Sequence, residues 1–426
     1  MEVRDPIHGA IELDESESQL IHQPFVQRLR MLKQVGFSFL AFPGATHSRF
    51  AHVLGVMQVA GTAFDRAYRD WHFEDPNARV RFRAAVRLAA LCHDLGHGPF
   101  SHCTEFAMPD VSGLGISWYR GTRSGHASHE DFTIAILQHT SLGRAIDQSF
   151  PCASRHVAAL ISHDVRVEDD FFRDGGLDHR RLLSQIISSE LDADRLDYLP
   201  RDAYYTGAQY GMIDVRWIVS HLTAHTAHGQ VCLALDSGAL YAFEHFLVAR
   251  HHMFLQVYFH HTSVVYEEML KAYVTQSGEW SISTDLDKYL YLDDVALEAH
   301  MRASTDPWAR RIVERAPYRR VVERHGTLPQ VRIDTERALL KREGIDYIDS
   351  ESTGRLSRYA AARRADVDGT LYVKMRLPGQ PTAKVEKLTD ASQVFERYAD
   401  EHSIARVYVA PEDRARAFEV LASVLP

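Results

Sequence analysis

The sequence predicts a mainly α fold, a helical core followed by a small C-terminal α+β module. Three observations carry that prediction. Apolar residues recur at helical spacing through most of residues 1–275. Strand signals are confined to the C-terminal part, in Thr370–Leu377 and Ala405–Val409. One stretch without helical period, Met108–His126, is rich in glycine and serine. The predicted organisation is a core over 1–275, a helical extension over 276–365 and an α+β module over 366–426.

The chain opens with an extended or turn segment, Asp5-Pro6-Ile7-His8-Gly9. A helical stretch follows around Pro24–Gln34, with Phe25, Leu29, Leu32 and Val35 at helical spacing, and Pro43-Gly44 makes a turn. Ser48–Tyr68 is predicted helical, with Phe50, Val53, Leu54, Met57 and Val59 on a broad apolar face. A third helix, Arg79–Cys92, stops at His93-Asp94-Leu95-Gly96-His97-Gly98-Pro99, where two glycines and a proline end it. Residues 108–126 read as a mobile loop. Helices resume from about His129, then near 154–163, 179–199, 213–226 and 239–274. Ala391–His402 and Pro411–Leu425 are the predicted helices of the C-terminal module.

Composition narrows the function. With 426 residues and 45% hydrophobic content the chain can bury a large core. A net charge of −9 argues against whole-surface nucleic-acid binding but leaves room for a local basic pocket. No apolar run approaches the roughly 20 residues of a membrane helix. Met1 leads into Glu2, Arg4 and Asp5 with no apolar signal region, and four cysteines form no CxxC pair, so a cytoplasmic protein with reduced thiols is expected. The 25 histidines are clustered, and histidine serves metal binding and proton transfer near neutral pH.

Three clusters carry the chemistry: His47–His52; His93-Asp94 with His97 and His102; and Asp192–Tyr198 with Asp202 beyond. Two imidazoles and two carboxylates suit a divalent metal, because the ligands are borderline to hard. An ionisable pair ending an apolar helix is costly unless something neutralises it. Spacing alone leaves Asp192 open beside Asp194 as the second carboxylate.

Five segments occur in the order of a known family: Asp5–Gly9, Phe42–Ala45, Arg49–Gly55, Leu91–His102 and Asp192–Asp202. On these motifs the chain resembles the HD superfamily of metal-dependent phosphohydrolases and, within it, the branch of deoxynucleoside triphosphate triphosphohydrolases. The resemblance runs to about Val274. It implies one divalent metal per active site (Fe, Mn, Mg, Zn, Co or Ni) on His52, His93, Asp94 and Asp194. It implies hydrolysis at the α-phosphorus, releasing triphosphate and a nucleoside, with His129 as catalytic histidine oriented by Glu105. Arg49, His97, His102, Arg195 and Tyr198 match phosphate contacts. Arg250 and Tyr258, eight residues apart and so on one helix face, match a γ-phosphate arginine and a sugar-side tyrosine. Gln34 and Asp202 match the pair that holds the 3′-hydroxyl, and Val35 the side chain that crowds the 2′ carbon. A nucleotide substrate and a homo-oligomer, dimer or tetramer, are further implications, with the 108–126 loop closing over the nucleotide.

The chain departs from that branch at Met1 and His22, where guanine-reading lysine and aspartate are expected, and at Phe259, where a glutamine is expected. Phe259 keeps open another nucleotide as substrate: a dinucleoside polyphosphate, a nucleoside monophosphate or an alarmone. A nucleotide-sensing scaffold without turnover is the competing reading from another class. The complete ligand set and the net charge weigh against it.

Overall fold

The computed structural model describes residues 1–167, 170–327, 331–354, 371–375, 383–394, 402–422 and 424. It opens with an antiparallel hairpin, β1 (Glu2–Asp5) and β2 (Gly9–Glu12), closed by Gly9 at φ +76°. The core is built on two long helices, α1 (Arg49–Ala67) and α2 (Pro76–Cys92). Asp75 caps α2 by accepting from the Asn77 N–H at 2.9 Å, with Pro76 in the first turn. Where they cross, Gly61 of α1 lies against Arg87 of α2, which in turn holds buried Glu17 at 2.6 and 2.8 Å.

Next come α3 (His129–His139), α4 (Ser154–Ile161), α5 (Arg180–Ile187) and α6 (Ala193–Thr206). The single helix predicted over 179–199 is therefore two. The chain leaves the helix at Ser188, and Asp192 starts a new one by accepting from the Ser189 and Arg195 N–H groups at 2.8 and 2.9 Å. The 108–126 segment is fastened to α3: Tyr119 Oη and Arg123 donate to Asp131 at 2.5 and 2.7 Å.

The core contains a sheet that periodicity did not predict. Only Val215–Ser220 of the expected 213–226 helix is helical. The chain then forms a hairpin, β3 (Leu222–Ala227) and β4 (Gln230–Asp236), through His228 and Gly229, both at positive φ. The helix expected over 239–274 is split into α7 (Leu240–Met253) and α8 (His261–Ser277) by one wide π-type turn at Phe254–Tyr258.

Between 276 and 365, where a helical extension was expected, helices run as far as Pro307–Val313, and one further helix, Asp334–Arg342, separates two strands. Strands β5 (Arg319–Thr327) and β6 (Tyr347–Gly354) follow. Further on lie β7 (Tyr372–Met375), β8 (Lys384–Lys387), β9 (His402–Val409) and a closing helix, α9 (Arg414–Leu421). Strand β9 runs antiparallel between β5 and β6. Strand β7 instead joins the core sheet, parallel to β4 with Ala234 opposite Tyr372. Most of the helix expected at Ala391–His402 lies outside the described residues. One large apolar cluster runs from Ile11 to Ala410, and a small one gathers Val321, Leu340, Val407, Val409 and Leu421. Along β9, Val407 and Val409 face the small cluster while Tyr408 faces the large one, the alternation a strand imposes. Among the described residues no helix is long and apolar enough to cross a membrane.

Candidate active site

Helix α1 places His52 one turn past its start, α2 delivers His93-Asp94 at its end, and the first turn of α6 brings Asp194 to the same point. His52 Nε2 lies 3.1 Å from Asp194 Oδ1 and 3.6 Å from Asp94 Oδ2. His93 Nε2 lies 3.3 Å from Asp94 Oδ1 and 3.7 Å from Asp194 Oδ1. Each imidazole uses its other nitrogen elsewhere, His52 Nδ1 toward Asp197 at 2.7 Å and His93 Nδ1 toward the Ala90 carbonyl at 2.8 Å. Both acceptors require Nδ1–H, which turns an Nε2 lone pair toward the carboxylates. Neither Nε2 has a hydrogen-bond partner, although both are buried.

This donor set fits a divalent cation. Burial opposes charge on His52, but Asp194, Asp197 and Asp94 outweigh it and lift its pKa to about 10; His93 rises for the same reason. Burial likewise opposes ionisation of Asp94 and Asp194, yet Arg49 and the two imidazoles around Asp94, and the imidazoles around Asp194, hold both carboxyls well below the usual range. Two carboxylates facing two buried lone pairs call for positive charge at the point they share. His52, His93 and Asp94 form a group whose donor atoms lie within 4.8 Å of one another. Asp192 stands apart, because its carboxylate is committed to the α6 cap and to the Arg195 guanidinium.

Behind His52 lies a buried ionic network. Asp197 receives His8 Nε2 at 2.6 Å, His52 Nδ1 at 2.7 Å and the Arg201 guanidinium at 2.8 Å; Arg201 reaches on to Asp5 at 2.8 Å. The Asp5–Gly9 motif thus braces a metal-site imidazole through one carboxylate, the support that orients such ligands. Gly55 makes room for it: a Cβ there would lie 1.9 Å from Asp197 Oδ1. Asp194, Asp197 and Arg201 fall at i, i+3 and i+7 of one helix, a spacing that could have linked Asp197 to the site.

A second group of imidazoles, His97, His102 and His129, stands beside the first. His97 stacks on His129 with ring centroids 3.9 Å apart. Glu105 accepts from His129 Nδ1 at 2.7 Å and pairs with His102 Nδ1 at 3.0 Å, leaving their Nε2 atoms free of it. Burial and the nearby Arg49 push His97 well down, so it stays neutral. The approach of the His93–Gly98 turn to α3 needs a glycine, since a Cβ on Gly96 would sit 2.0 Å from the His129 carbonyl.

These groups border a cavity of about 770 Å³ that is also lined by Gln34, Val35, Arg49, Arg195, Tyr198, Asp202 and Tyr258. Arg49 meets Asp94 and Ser101 Oγ. Asp202 accepts from Tyr258 Oη at 2.6 Å and pairs with His47 Nε2 at 2.8 Å. Arg250 does not line the cavity: it is held by buried Glu190 at 2.8 Å, and the wide turn at Phe254–Tyr258 rotates Tyr258 away from the face that Arg250 shares with a regular helix. Glu105 and His52 stand behind the lining residues. The sequence reading placed His47 in a cluster without giving it a role, and it missed Glu190 and the hairpin brace of Asp5 and His8; the partners of all four lie 60 or more positions away.

Residues 49–202 match the HD domain and residues 213–351 match the HD associated region. The chain is an HD-superfamily protein. Within the superfamily it resembles the deoxynucleoside triphosphate triphosphohydrolase branch: it is 29% identical over 385 residues to human deoxynucleoside triphosphate triphosphohydrolase SAMHD1, covering 82% of this chain and 58% of that protein. An uncharacterised protein of Methanocaldococcus jannaschii is 32% identical over 323 residues, covering 75% and 59%. The chain thus spans less than two thirds of the curated relatives it matches. A hypothetical protein from Aquifex aeolicus has the same fold at a TM-score of 0.74, with 26% identity and 99% coverage of both chains.

Proposed function

We propose that this chain is a metal-dependent nucleotide phosphohydrolase that cleaves deoxynucleoside triphosphates at the α-phosphorus, giving a deoxynucleoside and inorganic triphosphate. The observation that carries the reading is the convergence of His52, His93, Asp94 and Asp194 on one buried point, beside a cavity lined by Arg49, His97, His102, His129 and Arg195. His52, His93, Asp94 and Asp194 would hold a divalent cation, which would supply Lewis-acid polarisation of a phosphoryl oxygen. The cationic side chains and the imidazoles bind and orient a triphosphate, whose charge is about −4 and needs several donors. His129, its Nδ1–H held by Glu105, presents Nε2 to take a proton from the attacking water or to deliver one to the departing 5′-oxygen. Water adds to phosphorus, the bond to the 5′-oxygen breaks, and that oxygen leaves as the nucleoside hydroxyl. Gln34 and Asp202 hold the 3′-hydroxyl, and Val35 crowds a 2′-hydroxyl.

The test is a panel of deoxy- and ribonucleotides with each divalent metal, read by product identity. Triphosphate plus deoxynucleoside is the expected outcome. Orthophosphate or pyrophosphate as the released product would overturn attack at the α-phosphorus, and binding of every nucleotide without turnover would favour a scaffold.

A further inference from the structure

The cavity extends beyond the residues that the phosphates and sugar account for, and part of its remaining wall comes from the C-terminal part of the chain. Ser350, Glu351, Ser352 and Thr353 of β6 all border it. Successive residues of a strand point to opposite faces, so four consecutive lining residues mean that β6 presents its edge to the cavity. On its other side β6 pairs with β9, and among the described residues it has no second neighbour. A free edge carries a row of main-chain donors and acceptors. Ser350 is only 5% exposed.

Glu267 of α8 borders the same space. A chain of contacts places it next to the sugar-side residues: Gly36 lies against Cys103 Sγ, and the Cys103 thiol meets the Glu267 carboxyl. Burial pushes that carboxyl up to about 7, so near neutrality it can both donate and accept. Phe254 and Phe259 add apolar ring surface to the lining.

We propose that this end of the cavity holds the nucleobase, its hydrogen-bonding edge laid against the main chain of β6, with Glu267 accepting from an exocyclic amino group. The inference rests on the nucleotide reading above and names its base subsite. The recognised class is an amino-bearing base (adenine, cytosine or guanine) in preference to thymine.

The test compares kcat/KM for the four dNTPs, and inhibition by inorganic tripolyphosphate as a base-free probe, in the full chain and in Glu267→Ala and Ser350→Ala. The expected result for Glu267→Ala is a loss of about 10-fold against amino-bearing dNTPs, the scale of one hydrogen bond to an ionisable group. The change against dTTP should stay within about 2-fold, with tripolyphosphate inhibition unaltered. Ser350→Ala, which removes one hydroxyl and keeps the strand, should shift the base ratio in at least one direction. Equal changes for all four dNTPs, or an unaltered base ratio in both variants of an active chain, would overturn the base subsite alone. A parent chain that turns over no nucleotide would overturn the nucleotide reading and this inference with it.

Discussion

Burial alone would keep His52 and His93 uncharged, yet the carboxylates beside them hold the His52 pKa near 10, so the local field at this point favours a cation. Removing one carboxylate should remove the reason for it. Asp194→Ala is expected to lose bound metal, measured by elemental analysis of purified protein; full metal occupancy in that variant would move the ligand to Asp192. His129→Ala should keep its metal and slow hydrolysis by ~10²–10⁴, the range of a positioned acid or base, and a near-wild-type rate would remove His129 from the chemistry. Glu267 gives a pH test. Its folded pKa of about 7 lies above the ordinary 4.5, so the folded chain binds this proton more tightly than the unfolded chain. The stabilisation is fully present below pH 4.5 and is lost as pH rises through about 7. Glu267→Gln should therefore gain stability relative to the parent at pH 8 and lose that advantage toward pH 5, read by urea unfolding at both values. The residues proposed as metal ligands could be picked out in the sequence because they sit in compact strings such as Leu91–His102. Asp197 was read only as a neighbouring carboxylate, since its partners His8, His52 and Arg201 come together only in the fold.

At the scale of elements, the site depends on where helices start and stop. The end of α2 presents His93-Asp94, and the capped restart at Asp192 aims Asp194. Helix α1 must also pass close to α6, and at Gly55 there is no room for a side chain. Alanine there would raise helix propensity by about 1 kcal/mol, but its Cβ would meet Asp197 and Arg201. The expected net effect of Gly55→Ala is a destabilisation of ~1–3 kcal/mol, the scale of an overpacked core, with weaker metal retention. An unchanged urea midpoint and metal content would show that the Asp197 network can shift at no cost. Helical periodicity made α1, α2 and α4 legible. It misled at 213–226, because the helix stops at Ser220 and Leu222–Ala227 turns into a strand whose partner lies beyond the predicted segment, and His228-Gly229 was not read as a hairpin turn. Strand β6 gave no signal because Asp349, Ser350, Glu351 and Ser352 are polar on both faces.

At the scale of the whole molecule, the large apolar cluster unites the first and last parts of the chain, while the small cluster under β9 stands by itself. Charge placed in the small cluster should act locally. Val407, fully buried there, is the position to test. Val407→Asp is expected to raise amide exchange across 319–327, 347–354 and 402–409 while α1 and α2 keep their protection; equal loss of protection everywhere would show that the molecule opens as one unit.

The parallel pairing of Tyr372–Met375 with Ala234–Asp236 has a consequence for synthesis. A ribosome must add well over a hundred residues after the hairpin before its neighbouring strand emerges. Until then the nascent polypeptide carries an apolar ribbon, Val231–Leu235, with one border unmatched, the kind of border that seeks another chain. Yield of native enzyme should thus hinge on how long that wait lasts at the translation rate of the host.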